Sequence, residues 1–151
     1  MKTCNKCSIS KPLNCFSIRK STSDGFQWWC KECKKHHDAK RFLVPKDRSK
    51  FLINSAKSRT KRWGGSVTIS AEWIESKIAN GVCEVTGIPF DLNPSNFKRM
   101  NPFAPSLDRI DSGNRDYSEA NTRVVLASVN VALGEWGLEV MKPIFKKLGE
   151  L

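Results

Sequence analysis

The sequence predicts a mixed α+β protein in three segments. These are a small Cys4 zinc-ribbon or knuckle module over residues 1–37, a basic helical linker over 38–65, and a strand–strand–helix (ββα) domain with a C-terminal helix over 66–151. Three observations carry that prediction. Four cysteines fall in two Cys-x-x-Cys pairs, the positive charge is confined to the first part of the chain, and the stretch PSLDRIDSGNRDYSEANTRVVLASVN passes from period-two alternation to helical spacing.

Composition bounds the function classes. With 151 residues and 39% apolar content, the chain can bury a modest core. No apolar run approaches the roughly 20 residues that span a bilayer, and MKTCNKCSISK lacks the apolar centre of a signal peptide, so a cytosolic, reducing location is expected. The formal charge is +11, but residues 1–65 hold 17 Lys and Arg against four acids, whereas residues 66–151 hold nine against 11. A segregated polycation of this kind fits a nucleic-acid partner, because neutralising phosphates releases counterions.

Cys4, Cys7, Cys30 and Cys33 form C-x2-C, a 22-residue spacer, then C-x2-C. A two-residue gap lets one tight turn aim two thiolates at a tetrahedral Zn²⁺. Four thiolates close the coordination sphere and leave no position for water, so the expected zinc is structural. Cys15 and Cys83 read as small buried hydrophobes, and His36 and His37 as solvent or phosphate contacts. Between the pairs, KPLNCF predicts a short strand after Pro12, and Asp24 with Gly25 predicts a turn before an aromatic strand. Phe16, Phe26 and one of Trp28 and Trp29 are expected to pack on the metal site; the other Trp is available for packing or for stacking on a base. On KTCNKCSISKPLNCF, SDGFQWWCKECKK and the lysine-rich exit, this third resembles a zinc module that often stands at the start of phage-encoded HNH-type proteins.

In the second segment, KDRSKFLINSAKSRTKRWGG predicts a helix after Pro45, with Asp47 near its positive end and Gly64 and Gly65 as the stop. Leu52, Ile53, Ala56 and Trp63 make an incomplete apolar face. Arg48, Lys50, Lys57, Arg59, Lys61 and Arg62 cover the rest and are the expected nucleic-acid contacts.

The third segment opens on alternation at 67–69 that predicts a short strand, then a helix capped by Ser70, buried through Trp73, Ile74 and Ile78, and stopped by Asn80 and Gly81. CEVTGIPFDL predicts two extended pieces around a turn, and NPSNFKRMNPFAP, rich in proline and asparagine, an irregular loop. SLDRID is expected as a strand, NTRVVLA as the returning strand, and the residues from Ala127 as a helix with Val129, Ala132, Leu133 and Trp136 on one face. LEVMKPIFKKLGEL is amphipathic, with Pro143 inside it, and predicts two short helical pieces or one kinked helix.

The order of these elements, with Asp108, Asn121 and Asn130, resembles the HNH (His-Me finger, ββα-metal) nuclease motif, and CEVTGIPF and NVALGEWGLE resemble the flanks of phage members. The resemblance implies a DNA endonuclease with one catalytic divalent ion, Mg²⁺ or Mn²⁺. A carboxylate and an amide oxygen are hard ligands that suit such an ion, so Asp108 and Asn130 are its expected ligands and Asn121 a brace for the loop. Where the family has its histidine stands Arg109, and an arginine with a pKa above about 12 cannot take a proton from water near neutral pH. Three readings of Arg109 stay open: it clamps the phosphate while a metal-bound water or Asp111 handles the proton, the base comes from elsewhere such as His36 or His37, or catalysis is lost. Each residue also has an ordinary structural reading, with Asp108 and Asp111 paired to Arg109 and Arg115 and both asparagines bonded to backbone. A catalytically silent nucleic-acid binder on the same scaffold and a protein-interaction adaptor are the competing functions. DNA is the expected partner and a membrane is not, with the protein acting as a monomer or in an oligomer of unspecified order.

Overall fold

The computed structural model describes residues 1–93 and 100–150. Residues 94–99 of the asparagine- and proline-rich stretch expected as a loop lie outside the described residues. The chain forms two compact units, Met1–Arg41 and Phe42–Leu151, so the segment expected as a separate linker contributes its long helix to the second unit.

In the first unit, β1 (Lys2–Thr3) and β2 (Ser10–Lys11) make a minimal hairpin around the first cysteine pair. The strand expected directly after Pro12 is displaced: Leu13–Cys15 form a 3-10 turn, with Cys15 N–H donating to Pro12 O, and β3 is Phe16–Ile18. It pairs antiparallel with β4 (Phe26–Cys30). The turn before β4 is the expected one, with Gly25 at φ 74° and the Asp24 carboxylate accepting from Phe26 N–H. The core is thin, made of Cys4, Phe16 and Cys30 with Phe26, Trp29 and Cys15 against them. Helix α1 (Lys31–Phe42) follows at once; its sequence, KECKKHHDAKRF, buries no residue, which is why apolar periodicity did not reveal it.

In the second unit, α2 spans Pro45–Trp63, with Pro45 in the first turn and Asp47 beside the positive end. Leu52, Ile53 and Ala56 are buried, but Trp63, expected on that face, is half exposed because the helix ends there. Gly64 (φ 87°) and Gly65 (φ 96°) turn the chain away, and a Cβ on Gly65 would lie 2.4 Å from Arg115 O. Residues 67–69 make only a single parallel bridge, Val67 to Tyr117, instead of a strand: Thr68 and Ile69 N–H both donate to Tyr117 O. Helix α3 (Ala71–Ala79) is capped by Ser70, whose Oγ accepts from Trp73 N–H at 3.0 Å, and buries Ile74 and Ile78 against α2.

Strand β5 (Pro105–Arg109) and β6 (Thr122–Leu126) pair antiparallel with Leu107 opposite Val124 and Asp108 opposite Arg123. β5 ends before Ile110 and Asp111, which belong to the loop. Helix α4 (Ala127–Leu133) buries Leu133 but leaves Ala132 and Trp136 exposed, since Gly134 (φ 50°) stops it one turn early. α5 (Gly137–Leu148) runs through Pro143 as one helix and buries no residue. Among the described residues no helix is long and apolar enough to cross a membrane.

One turn of the first unit recurs in the second without its sulfur ligands. Cys4 N–H donates to Ile9 O at 3.0 Å and Ser8 N–H to Cys4 O at 2.8 Å, with Ser8 at φ 57°. Cys83 N–H donates to Ile88 O at 3.0 Å and Gly87 N–H to Cys83 O at 2.9 Å, with Gly87 at φ 70°. In each unit the last residue of a strand then donates its N–H to the first cysteine's sulfur, Cys30 to Cys4 at 3.2 Å and Leu126 to Cys83 at 3.4 Å. Thr86, Leu126 and Val129 stand where the first unit has Cys7, Cys30 and Cys33, and an apolar cluster of Cys83, Val125 and Leu126 with Val85, Phe90 and Val129 holds this copy together.

Two substitutions test the α3 packing in the full-length protein. Ser70→Ala is expected to lower unfolding free energy in urea by about 1 kcal/mol, and Ile74→Ala by about 2–5 kcal/mol. Equal effects for the two would show that α3 is not anchored through Ile74.

Candidate active site

The four cysteines Cys4, Cys7, Cys30 and Cys33 converge, with all four sulfurs within 4.8 Å of one another. The first pair sits on the hydrogen-bonded turn described above; the second pair straddles the junction of β4 and α1, Cys30 ending the strand and Cys33 lying in the first helical turn. Burial raises the Cys4 pKa, but N–H donation from Cys30, Cys7 and Lys6 outweighs it and brings the thiol down to about 6. Cys33 is pushed up to about 12 by burial and by its sulfur neighbours. Four crowded sulfurs with amide donors aimed at one of them form a donor set that can hold a metal ion. His36 is exposed, and His37 meets the Trp29 ring edge-on at 5.1 Å and Asp38 at 3.4 Å, so neither belongs to the ligand set.

In the second unit the sequence-expected residues fall around the β5–β6 hairpin. Asp108 is buried, and its Oδ2 accepts from Arg123 Nε at 2.7 Å across the strands. That partner is neither Arg109 nor Arg115, because register places Arg123 directly opposite. Asn130, in α4, donates its amide to Ser106 Oγ at 2.7 Å and Leu107 O at 2.9 Å, tying the helix back onto β5. Asn121 holds the connecting loop: its Oδ1 accepts from Asp111 N–H at 2.8 Å and its amide donates to the carbonyls of Asp111, Asn114 and Asp116. Asp111 is exposed and closes a turn by accepting from Gly113 N–H at 2.9 Å. It does not line the cleft beside Asp108.

That cleft has two lobes sharing Arg59, Arg109, Ser112, Tyr117 and Gly134. A lobe of about 130 Å³ has Asp108 and Asn130 in its wall. An adjoining lobe of about 380 Å³ carries Arg115, Trp63 and Glu135. The guanidinium groups of Arg59 and Arg109 lie 5.4 and 5.7 Å from the centroid of the buried Tyr117 ring. Arg109 also donates to Asn114 O at 3.3 Å, and Arg115 to Trp63 O. With Asp108 already paired to Arg123, three arginines against Glu135 leave the cleft cationic and suited to a phosphate.

The basic helix divides by face. Lys50, Lys57, Lys61 and Arg62 are exposed, and Arg59 enters the cleft. Arg48 is turned inward instead: it donates to Pro105 O at 3.0 Å, lies 5.5 Å from the Phe42 and Phe51 rings, and has its pKa lowered by burial. Sequence reading missed Arg123 and Tyr117. The alternation of NTRVVLA carried the signal for Arg123, on the face of β6 opposite Asp108 once the register is known; the chain's single tyrosine, isolated in a polar loop, was the signal for the other.

No protein-family model matches the chain, and no curated protein matches it. Among solved structures the chain is similar to that of the rare-cutting HNH restriction endonuclease PacI, reported with an extraordinary mechanism of DNA perturbation. The likeness has 17% identity and a TM-score of 0.42, covering 99% of this chain and 94% of that one.

Metal analysis of the purified full-length protein is expected to find one tightly held zinc per chain. Cys30→Ser should lose it and with it the amide protection of residues 1–41, while the ββα amides stay protected. Zinc retained at full stoichiometry in Cys30→Ser would show that the four sulfurs are not one site.

Proposed function

We propose that this protein is a DNA-binding, HNH-type endonuclease that hydrolyses phosphodiester bonds with one divalent metal ion, and that the Cys4 cluster holds a structural zinc. The observation that supports it most is the convergence of Asp108 on β5 and Asn130 on α4 in the wall of one small lobe edged by Arg59 and Arg109. Arg123 occupies Asp108 Oδ2, while Asp108 Oδ1 and the side-chain Oδ1 of Asn130 accept no hydrogen bond among the described residues. A carboxylate oxygen and an amide oxygen are donors that fit Mg²⁺ or Mn²⁺. Bound there, such an ion would act as a Lewis acid on the scissile phosphate.

The chain's own residues supply the rest. Arg109 and Arg59 hold the phosphate and offset charge that develops on its oxygens, a role in which arginine's permanent charge is an asset. Asn121 keeps the loop after β5 in place and Asn130 keeps α4 on the strand. Asp111 stands outside the residues that line the cleft, so the proton of the attacking water would leave to solvent or to the phosphate and not to that carboxylate. The exposed Lys50, Lys57, Lys61 and Arg62 add non-specific backbone affinity that falls with salt.

A second reading is favoured by one contact. The Arg123–Asp108 ion pair already neutralises the expected metal ligand, and with no histidine at position 109 the same cleft would serve a catalytically silent DNA-binding protein.

Incubation with supercoiled DNA and Mg²⁺ or Mn²⁺ separates the two. For an endonuclease, Asp108→Ala and Asn130→Ala are expected to reduce nicking about 100-fold or more with DNA binding retained, and Arg109→Ala by about 100-fold through lost phosphate stabilisation. Salt-sensitive binding without nicking, unaltered by Asp108→Ala, would establish the silent binder. Arg109→His then distinguishes a degenerate site, which gains activity, from one in which the arginine has its own role.

A further inference from the structure

The first unit presents a second cleft that neither the metal cluster nor the proposed hydrolysis uses. Its volume is about 240 Å³, and it is bordered by Trp28, Trp29, Gln27, Lys34 and His37. The pairing of β3 and β4 is irregular: Phe16 faces Cys30 and Ile18 faces Phe26, so two steps on one strand meet four on the other. The irregularity breaks strict alternation and lets two consecutive tryptophans edge one hollow. Their energetic roles differ. Trp29 packs on the cysteine core, with Lys6 5.6 Å from its ring centroid. Trp28 is 53% exposed and contributes nothing to that core. The half-exposed Trp28 ring meets the Arg19 guanidinium and stands outside that core, which leaves ring surface for a ligand.

We propose that this cleft is a stacking site for an unpaired base of a nucleic-acid strand. The half-exposed Trp28 ring offers a π-face that every base can stack on, Trp29 closes the hollow from the core side, and the Gln27 amide, whose Oε1 accepts from Arg19 at 3.5 Å, offers its N–H donors to a base edge. Arg19, whose guanidinium lies 4.8 Å from the Trp28 centroid, and Lys34 supply cations for the flanking phosphates. Lys34 is paired with Asp38 at 2.8 Å one helical turn away, an exposed pair of small worth that a phosphate can replace. Residues 1–41 carry ten Lys and Arg against three acids, which favours a polyanion over an apolar peptide. A hollow of about 240 Å³ edged by tryptophans suits an unstacked base, so single-stranded or locally opened nucleic acid is the ligand we assign to it. This site is independent of the endonuclease reading and survives its failure.

The test uses the full-length, zinc-loaded protein in the Asp108→Ala background, so that cleavage cannot intervene. The probes are a fluorescein-labelled oligodeoxythymidine of about twelve nucleotides and a mixed-sequence duplex of equal length. Trp28→Ala is expected to weaken single-strand binding about tenfold or more, with duplex binding changed less than about twofold. Trp28→Phe should keep an intermediate affinity, and zinc content should be unaltered in both. Single-strand affinity equal to the parent's in Trp28→Ala would overturn the proposal, as would equal losses for the two probes with zinc retained.

Discussion

The grip on Tyr117 organises the second unit. Its N–H donates to Ser66 O at 2.9 Å and its carbonyl accepts from Thr68 and Ile69, which fastens the hairpin loop to the segment leaving α2. Its ring is buried in the core with Leu52, Ile53, Ile74 and Leu107, and its neighbours Arg59 and Arg109 come from α2 and β5. Asp116 and Arg115 reinforce the joint, the first accepting from Ser66 N–H and Oγ, the second donating to Trp63 O. Gly65 has no room for a side chain because Arg115 backbone fills that space. The basic helix α2 is thereby set against the β5–β6 hairpin, and the cleft between them is the result.

The two cysteine turns show one backbone solution stabilised in two ways. In the first unit few apolar groups are available, and four sulfurs close enough to hold one metal ion stand at the centre of a thin core. In the second, Thr86, Leu126 and Val129 occupy the equivalent places, and packing of Cys83 with Val125 and Leu126 holds the turn. The cost of losing a sulfur is small where α2, α3 and the hairpin already supply a core, and large in a 41-residue unit whose core is thin.

Much of the fold was legible because its signals are local. Pro45, Gly64 and Gly65 bound α2, Ser70 caps α3, and the change of period at Ala127 marks the strand-to-helix junction. The misreadings share a cause. Residues 67–69 alternate like a strand but find one bridge partner, Trp63 and Trp136 fit an apolar face but stand where glycines end their helices, and α1 has no apolar stripe to reveal it. Arg48 belongs by composition to a phosphate-binding face, yet Phe42, Phe51 and Pro105 O claim it.

Sequence by itself determined the cysteine cluster, the charge asymmetry and the order of strand, loop, strand and helix, since spacing and periodicity are properties of neighbours along the chain. Only the tertiary structure decided which arginine neutralises Asp108, which tryptophan stays in water, and that Asn130, Asp108 and Arg59 share a cleft. The Asp108–Arg123 pair, 15 positions apart, depends on strand register, and the shared cleft depends on the docking of α2 and α4 against the hairpin; a one-residue change of register would exchange every cross-strand partner.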